Sequence, residues 1–186
     1  MTERLGSYRR DGFTAFTGAY DEGQMQPWRY EQDRLESIST GPHAQNRNWW
    51  FGNMLERAPH LMWPVVANPV ILDFAEVVVG PFVQLDNLTL AAFPSKDKDD
   101  ATAGNCAWHR DRWGHMPTDY YQRPMSLNAI CYLQDLTDES GPLRVIRGSH
   151  INPVAMTEQE REQPHPDEEL LYLKAGDIVL THSCLL

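Results

Sequence analysis

The second half of the chain is cut into short segments by turn residues, and this punctuation restricts the fold more than any other feature. Strand-like runs at residues 105–108, 126–133, 143–146, 170–173 and 178–181 alternate with loops that hold glycine and proline. Each run is too short for a stable helix, and each carries apolar, β-branched or aromatic residues that suit a pleated, half-buried surface. Gly141-Pro142 and Ala175-Gly176-Asp177 are the clearest turns. Regular short strands with such punctuation predict an all-β sandwich or barrel in this half.

The first half reads differently. Up to residue 45 there are several glycines and the aromatics Tyr8, Tyr20, Trp28 and Tyr30 without sustained periodicity, which predicts irregular structure around a short helix or two. Over 46–60, Trp49, Trp50, Met54, Leu55 and Ala58 recur at three- and four-residue intervals and predict a helix limited by Pro59 and Pro64. Asn68 then offers a cap, Pro69 suits a first helical position, and apolar residues from Val70 to Val79 precede Gly80-Pro81, giving a buried helix of about three turns. Residues 82–93 read as one or two strands ended by Pro94, and 95–104 as a charged loop. The expected organisation is a single domain over 1–186, helical or irregular to residue 80 and built of strands from 82 onwards: mainly β with flanking helices, an α+β class.

Composition narrows the partners. With 186 residues, 41% of them hydrophobic, one core is the default. The 16 Lys and Arg against 26 Asp and Glu give a net charge of −10, and the acids concentrate at 97–100, 135–139 and 158–169, which read as solvated loops. That field repels a nucleic-acid backbone or an anionic membrane surface, so neither is expected as a main partner; a small-molecule substrate is. The N-terminus lacks a signal-like apolar run, and no stretch of about 18 apolar residues exists to span a bilayer. A cytoplasmic monomer or small homo-oligomer is the expectation. Cys106, Cys131 and Cys184 form no CxxC pair, and read as small buried hydrophobes.

The chemistry centres on Trp108-His109-Arg110-Asp111-Arg112-Trp113. On extended backbone, positions i and i+2 share a face, so His109 and Asp111 converge on one point. Two histidines and one carboxylate on one face of iron leave three coordination positions, enough for a bidentate oxo-acid and O₂. An isolated HxD carries little weight, since His beside Asp is more often a surface hydrogen-bonded pair. The HRD of a protein-kinase catalytic loop is excluded: no Gly-rich phosphate loop precedes it, and Met116 stands where the loop needs Asn.

The order of surrounding motifs adds the weight. Downstream come Asp135-Leu136-Thr137-Asp138-Glu139-Ser140-Gly141-Pro142-Leu143-Arg144-Val145-Ile146-Arg147-Gly148-Ser149-His150 and then Gly176-Asp177 opening a strand that runs towards Leu186. With Asp11-Gly12-Phe13 near the start, these resemble the phytanoyl-CoA dioxygenase family over nearly the whole chain. The resemblance implies a double-stranded β-helix, the cupin-like jelly roll, with helices outside it. It also implies an Fe(II)- and 2-oxoglutarate-dependent dioxygenase, one that uses O₂ to hydroxylate a small organic substrate and releases succinate and CO₂. His109 and Asp111 are then two iron ligands. Asp111 argues for hydroxylation over halogenation, because related halogenases carry a small residue there. The alternatives are a non-catalytic jelly-roll module that binds small molecules, and another metal-dependent cupin-type enzyme.

The same resemblance puts the distal iron-binding histidine one residue beyond Leu186, and the 2-oxoglutarate-binding arginine further still. The 186 residues are therefore expected to be part of a longer chain, since an end within an apolar strand leaves a sheet unfinished. His182, an odd number of residues before the expected ligand, is read as a core or hydrogen-bonded histidine rather than a substitute ligand. His150 is read as structural. Arg147 stands where the family usually has proline, facing solvent or reaching the site as an anion contact. In relatives the face of strand 126–133 that carries Ser126, Asn128, Ile130 and Tyr132 lines the 2-oxoglutarate pocket, which makes Asn128 and Tyr132 candidate contacts; Asn87, polar within an apolar run, is a third. Arg112, Trp113 and His115 are candidate substrate contacts over the barrel mouth.

Overall fold

A computed structural model describes residues 1–40, 49–93, 107–111 and 124–186. The first elements are more regular than their sequence suggests. Helix α1, Thr2–Asp11, stops at Gly12, whose φ of 88° suits a residue without Cβ and whose N–H donates to the Tyr8 carbonyl. The chain turns there into strand β1, Phe13–Phe16. Helix α2, Glu22–Ile38, begins at a reciprocal cap: Asp21 accepts from the Gln24 N–H, and the Gln24 side chain accepts from the Asp21 N–H. Its buried positions are Met25, Trp28, Gln32 and Leu35, a helical spacing hidden in the sequence by a polar residue on the inner face and by Pro27.

The helix expected over 46–60 is corrected. Residues 46–48 lie outside the described set, and Trp49–Phe51 is a strand, β2, paired antiparallel with β3, Leu90–Ala92. Three consecutive aromatics favour extended backbone, and Gly52 followed by Asn53 at φ 56° breaks the direction before α3, Met54–Arg57. Pro59 opens α4, Pro59–Val66, instead of ending a helix, because a first-turn position needs no N–H donor. The helix foreseen after Asn68 is present as α5, Pro69–Val79, with the Asn68 side chain accepting from the Val70 N–H at 2.9 Å. Of the strand foreseen over 82–93 only β3 forms. Residues 82–89 carry no strand pairing, and Phe82 is almost fully exposed.

The remaining strands are β4, Leu127–Cys131; β5, Leu143–Ile146; β6, Glu168–Leu171; and β7, Ile178–His182. The expected 126–133, 143–146 and 178–181 segments are thus recovered, and 170–173 shifts two residues earlier. Residues 107 and 108 are not in a strand, and 105–106 lie outside the described set. Strand β7 is central, flanked by β1 and β4, with both pairings antiparallel; β5 and β6 form a separate antiparallel hairpin. Gly141 and Gly176, both with positive φ, make the predicted turns.

Strand alternation sorts the core into two layers. Phe16, Ile178, Leu180, Leu127 and Cys131 pack towards the helices with Tyr8, Met54 and Phe74. Phe13, Val179, Ile130 and Tyr132 pack the other way, with Val145 and Leu143 of β5 and with Leu136 and Leu173. The three-stranded sheet is therefore covered by helices on one face and by the β5–β6 hairpin on the other. Across that second layer Arg147 pairs with Asp11 at 2.7 Å and with Glu169 at 2.6 Å, and its guanidinium lies over the Phe13 ring. Arg147 thus ties α1 to β6 while its side chain stays about half exposed, and the anions it meets are the protein's own carboxylates. Among the described residues no single helix is long and apolar enough to cross a membrane.

Candidate metal centre

The segment 107–111 is irregular backbone, yet its side chains keep the alternation of an extended chain. Trp108 is buried against Ile146 and Leu186. Its N–H donates to the Arg161 carbonyl at 2.9 Å, its indole N–H to the Gln163 carbonyl at 2.9 Å, and the Arg144 guanidinium lies 4.7 Å from its ring centre. Arg110, two residues on, donates from Nε to the Cys184 carbonyl at 3.2 Å and from Nη2 to the Val154 carbonyl at 3.3 Å. Burial lowers its pKa from the usual guanidinium value, though a guanidinium stays charged at any physiological pH.

His109 and Asp111 project from the same segment and remain about half exposed. His109 Nδ1 lies 2.8 Å from the Ala107 carbonyl, which can only accept, so Nδ1 carries the proton in the neutral ring. The other nitrogen, Nε2, then turns its lone pair towards Asp111 Oδ1 at 3.2 Å. The second Asp111 oxygen, Oδ2, accepts from the side-chain amide of Asn128. An imidazole lone pair facing a carboxylate oxygen is repulsive unless a proton or a metal cation lies between them. With metal–ligand bonds of about 2.1 Å, two donors at right angles around an ion stand about 3 Å apart, which the observed separation matches. Nitrogen and oxygen donors of this kind suit a first-row divalent metal, and a backbone carbonyl that fixes the imidazole tautomer is the usual outer partner of such a ligand. The pair fits a metal.

Of the other residues singled out in the sequence, Asn128 joins this pair, its side-chain amide donating to the Asp111 carboxylate. It sits on β4 opposite Thr181 of β7, on the face that looks towards β5–β6. Tyr132 lies on the same face, packed among Leu136, Val145 and Leu173, and burial pushes its phenol up to about 12. Asn87 is engaged elsewhere: Oδ1 accepts from the Asn53 N–H at 3.0 Å and Nδ2 donates to Thr89 at 3.1 Å, closing the turn between β2 and α3. Arg112, Trp113, His115 and Cys106 lie outside the described residues; Cys184 is buried and Cys131 half-buried.

His182 and His150, the other two histidines weighed in the sequence that the structure describes, occupy the helix side. His182 Nδ1 accepts from the Cys184 N–H at 3.0 Å, and its ring stands 5.0 Å from that of His150 and 6.1 Å from that of Tyr8. His150 is buried, its Nε2 donates to the Arg9 carbonyl at 3.0 Å, and burial pushes its pKa down. No group of three or more His, Cys, Asp or Glu side chains suited to a metal occurs among the described residues. Ala107 and Asn128 are the outer partners that sequence reasoning did not place in this role. The signal for Asn128 is parity: it is a polar position on a strand face that also carries Ile130 and Tyr132.

A half-exposed His–carboxylate pair thus stands against an antiparallel sheet with helices behind it. The chain belongs to the phytanoyl-CoA dioxygenase family, whose profile matches residues 8–186. Among solved structures it resembles HygX from Streptomyces hygroscopicus with nickel and 2-oxoglutarate bound, at 18% identity and a TM-score of 0.74, over 100% of this chain and 78% of that one. It also resembles SnoN, a non-haem α-ketoglutarate-dependent epimerase from nogalamycin biosynthesis, at 22% identity and a TM-score of 0.68, over 99% and 73% of the two chains. A third is SnoK, a carbocyclase of the same biosynthesis, at 18% identity and 0.69, over 100% and 75%. At these identities the likeness establishes the fold. No curated protein matches the sequence.

Proposed function

We propose that this protein is a non-haem Fe(II)- and 2-oxoglutarate-dependent dioxygenase, built on a jelly roll, that hydroxylates a small organic substrate and releases succinate and CO₂. The observation that carries the reading is His109 Nε2 standing 3.2 Å from Asp111 Oδ1, with the outer atoms of both side chains held by Ala107 and Asn128. Family membership supports it, as do relatives of the same fold that hold iron or nickel with 2-oxoglutarate. HygX with hygromycin B bound and SnoN with nogalamycin RO bound support a small organic substrate.

When bound, Fe(II) with 2-oxoglutarate and O₂ supplies the oxidising chemistry, and the protein supplies orientation and a shielded site. His109 and Asp111 are the two assigned ligands. Asn128 keeps Asp111 from rotating. Tyr132 is assigned as a co-substrate contact: with its pKa raised to about 12, its hydroxyl stays a neutral donor able to bind a carboxylate. Asn87 enters as a turn residue. The presence of Asp111, rather than a small residue, favours hydroxylation over halogenation.

The test is an anaerobic titration of the protein with Fe(II) and 2-oxoglutarate, followed by the weak visible charge-transfer band of the chelate. A band in the wild type that disappears in a His109→Ala, Asp111→Ala double variant is the expected result. A wild type without the band, or a double variant that retains it, rejects the reading in favour of a binding module or another metal-dependent enzyme.

A further inference from the structure

The side of segment 107–111 that faces away from the His–Asp pair grips one short stretch of chain, residues 182–186. That stretch is held at most of its backbone groups. The Cys184 N–H donates to His182 Nδ1, the Leu185 N–H to the His182 carbonyl at 2.9 Å, and the Leu186 N–H to Ser149 Oγ at 2.8 Å. The Leu186 carbonyl accepts from the Ile146 N–H at 2.6 Å. The Cys184 carbonyl is taken by Arg110. Arg110 therefore connects, by direct hydrogen bonds, the backbone between the two donors to a stretch that β5 and β7 hold rigid. Its second bond, to Val154, stops the guanidinium from swinging, because two N–H groups of a planar fork are fixed at once.

We propose that Arg110 is a positioning residue of the metal centre: its two carbonyl contacts fix the separation and angle between the His109–Asp111 pair and the Cys184–Leu186 stretch. This rests on the metal-centre reading above. Packing of Trp108 on Leu186 sets the distance of approach, but an apolar contact permits sliding, whereas the Arg110 fork does not. Without it, the 107–111 segment keeps its Trp108 anchor yet gains freedom to rotate about it. Both donors would then sample orientations that do not converge. Metal affinity should suffer more than folding.

The measurement is Co(II) titration of the protein, following the visible d–d bands of the bound ion, with thermal melts of the metal-free protein in parallel. Arg110→Ala is expected to weaken Co(II) binding about 10- to 100-fold, the range for lost outer partners, with altered band positions. Arg110→Lys, which keeps the charge but cannot span both carbonyls as a planar fork, should fall between it and wild type. Arg147→Ala, which breaks an ion-pair network between α1 and β6, controls for general destabilisation and should bind Co(II) as the wild type does. An Arg110→Ala protein with wild-type affinity and spectrum overturns the proposal, as does an Arg147→Ala protein that loses affinity to the same extent. If Arg110→Ala does not fold, wild-type affinity and bands in Arg110→Lys overturn it. A wild type that takes up no Co(II) removes the metal centre itself, whereas normal uptake with unaffected Arg110 variants removes only the role of Arg110.

Discussion

On the helix-side face of β7, Ile178 and Leu180 are completely buried against a layer that contains Phe74 and Met54. On the opposite face Val179 is equally buried, but Thr181, two residues further, lies beside Asn128, whose amide reaches out to Asp111. One strand thus serves an apolar layer that ends at His182 on one side and, on the other, an apolar layer that ends in polar groups at the His–Asp pair. Because successive residues alternate faces, the two duties use different side chains of the same strand. Stability and metal binding should therefore be separable by substitution, and each expected outcome below challenges that separation.

The largest effect is expected on the helix side. Phe74 is fully buried, with edge-to-face contacts to Tyr8 and Phe16 at 5.3 and 5.8 Å. Phe74→Ala should cost about 3–5 kcal/mol of folding stability, the usual loss for a buried aromatic, read from the denaturant midpoint. Metal affinity measured well below the melting transition should stay at the wild-type level. Loss of metal binding at a temperature where the variant is still folded would break the separation.

Asp111→Ala makes the reverse test. Its side chain is about half exposed, so the melt of the metal-free protein should be unchanged. Metal binding should weaken by about a hundredfold or more, since loss of a ligand should exceed the 10- to 100-fold cost of losing an outer partner. A drop in melting temperature without a drop in affinity would mark the pair as structural.

How far the sequence reveals this arrangement also divides between the two faces. The side that holds the His–Asp pair is legible where it depends on local spacing: His109 lies beside Asp111, Asn128 and Tyr132 share a strand face, and Gly141 and Gly176 make turns. The helix side is less so. Trp49 and Trp50 fit a helical spacing, but the pairing with β3, distant in sequence, makes them a strand. Strand β1 is equally hidden, since Phe13–Phe16 becomes a strand only by lying against β7. Asn87 has the composition of a site residue, and only the position of Asn53 reveals that its amide closes a turn. Arg147 was open between solvent and an anion because its partners, Asp11 and Glu169, lie far from it in the chain.

Asn128→Ala sharpens the comparison at its border. The amide holds one carboxylate oxygen and leaves the core untouched, so metal affinity should fall about tenfold, at the low end for an outer partner. The 2-oxoglutarate titration of the same variant distinguishes the two roles given to Asn128. A change in 2-oxoglutarate affinity at saturating Fe(II) makes it a co-substrate contact. A change in Fe(II) affinity alone makes it a support for Asp111.

The smallest effect concerns Asp11, which joins the layers. Its side chain is only 4% exposed and meets Arg10 at 2.6 Å and Arg147 at 2.7 Å. Burial raises its pKa, but the hydrogen bonds and charges of the two guanidinium groups outweigh that, and the carboxyl titrates below its ordinary value. A carboxyl whose pKa is depressed by folding contributes its full stabilisation above the unfolded pKa, about 3.9, and loses it as pH falls through the lower folded value. Asp11→Asn should therefore lower the melting temperature at pH 7 by about 2–4 °C, corresponding to roughly 1 kcal/mol, because both arginines are largely open to solvent and screen the pair. The gap between variant and wild type should narrow as the pH drops below 4. A gap that does not vary with pH would mean that Asp11 acts through packing beside Gly12 rather than through its charge, and α1 would then be held to the sheet without help from Arg147.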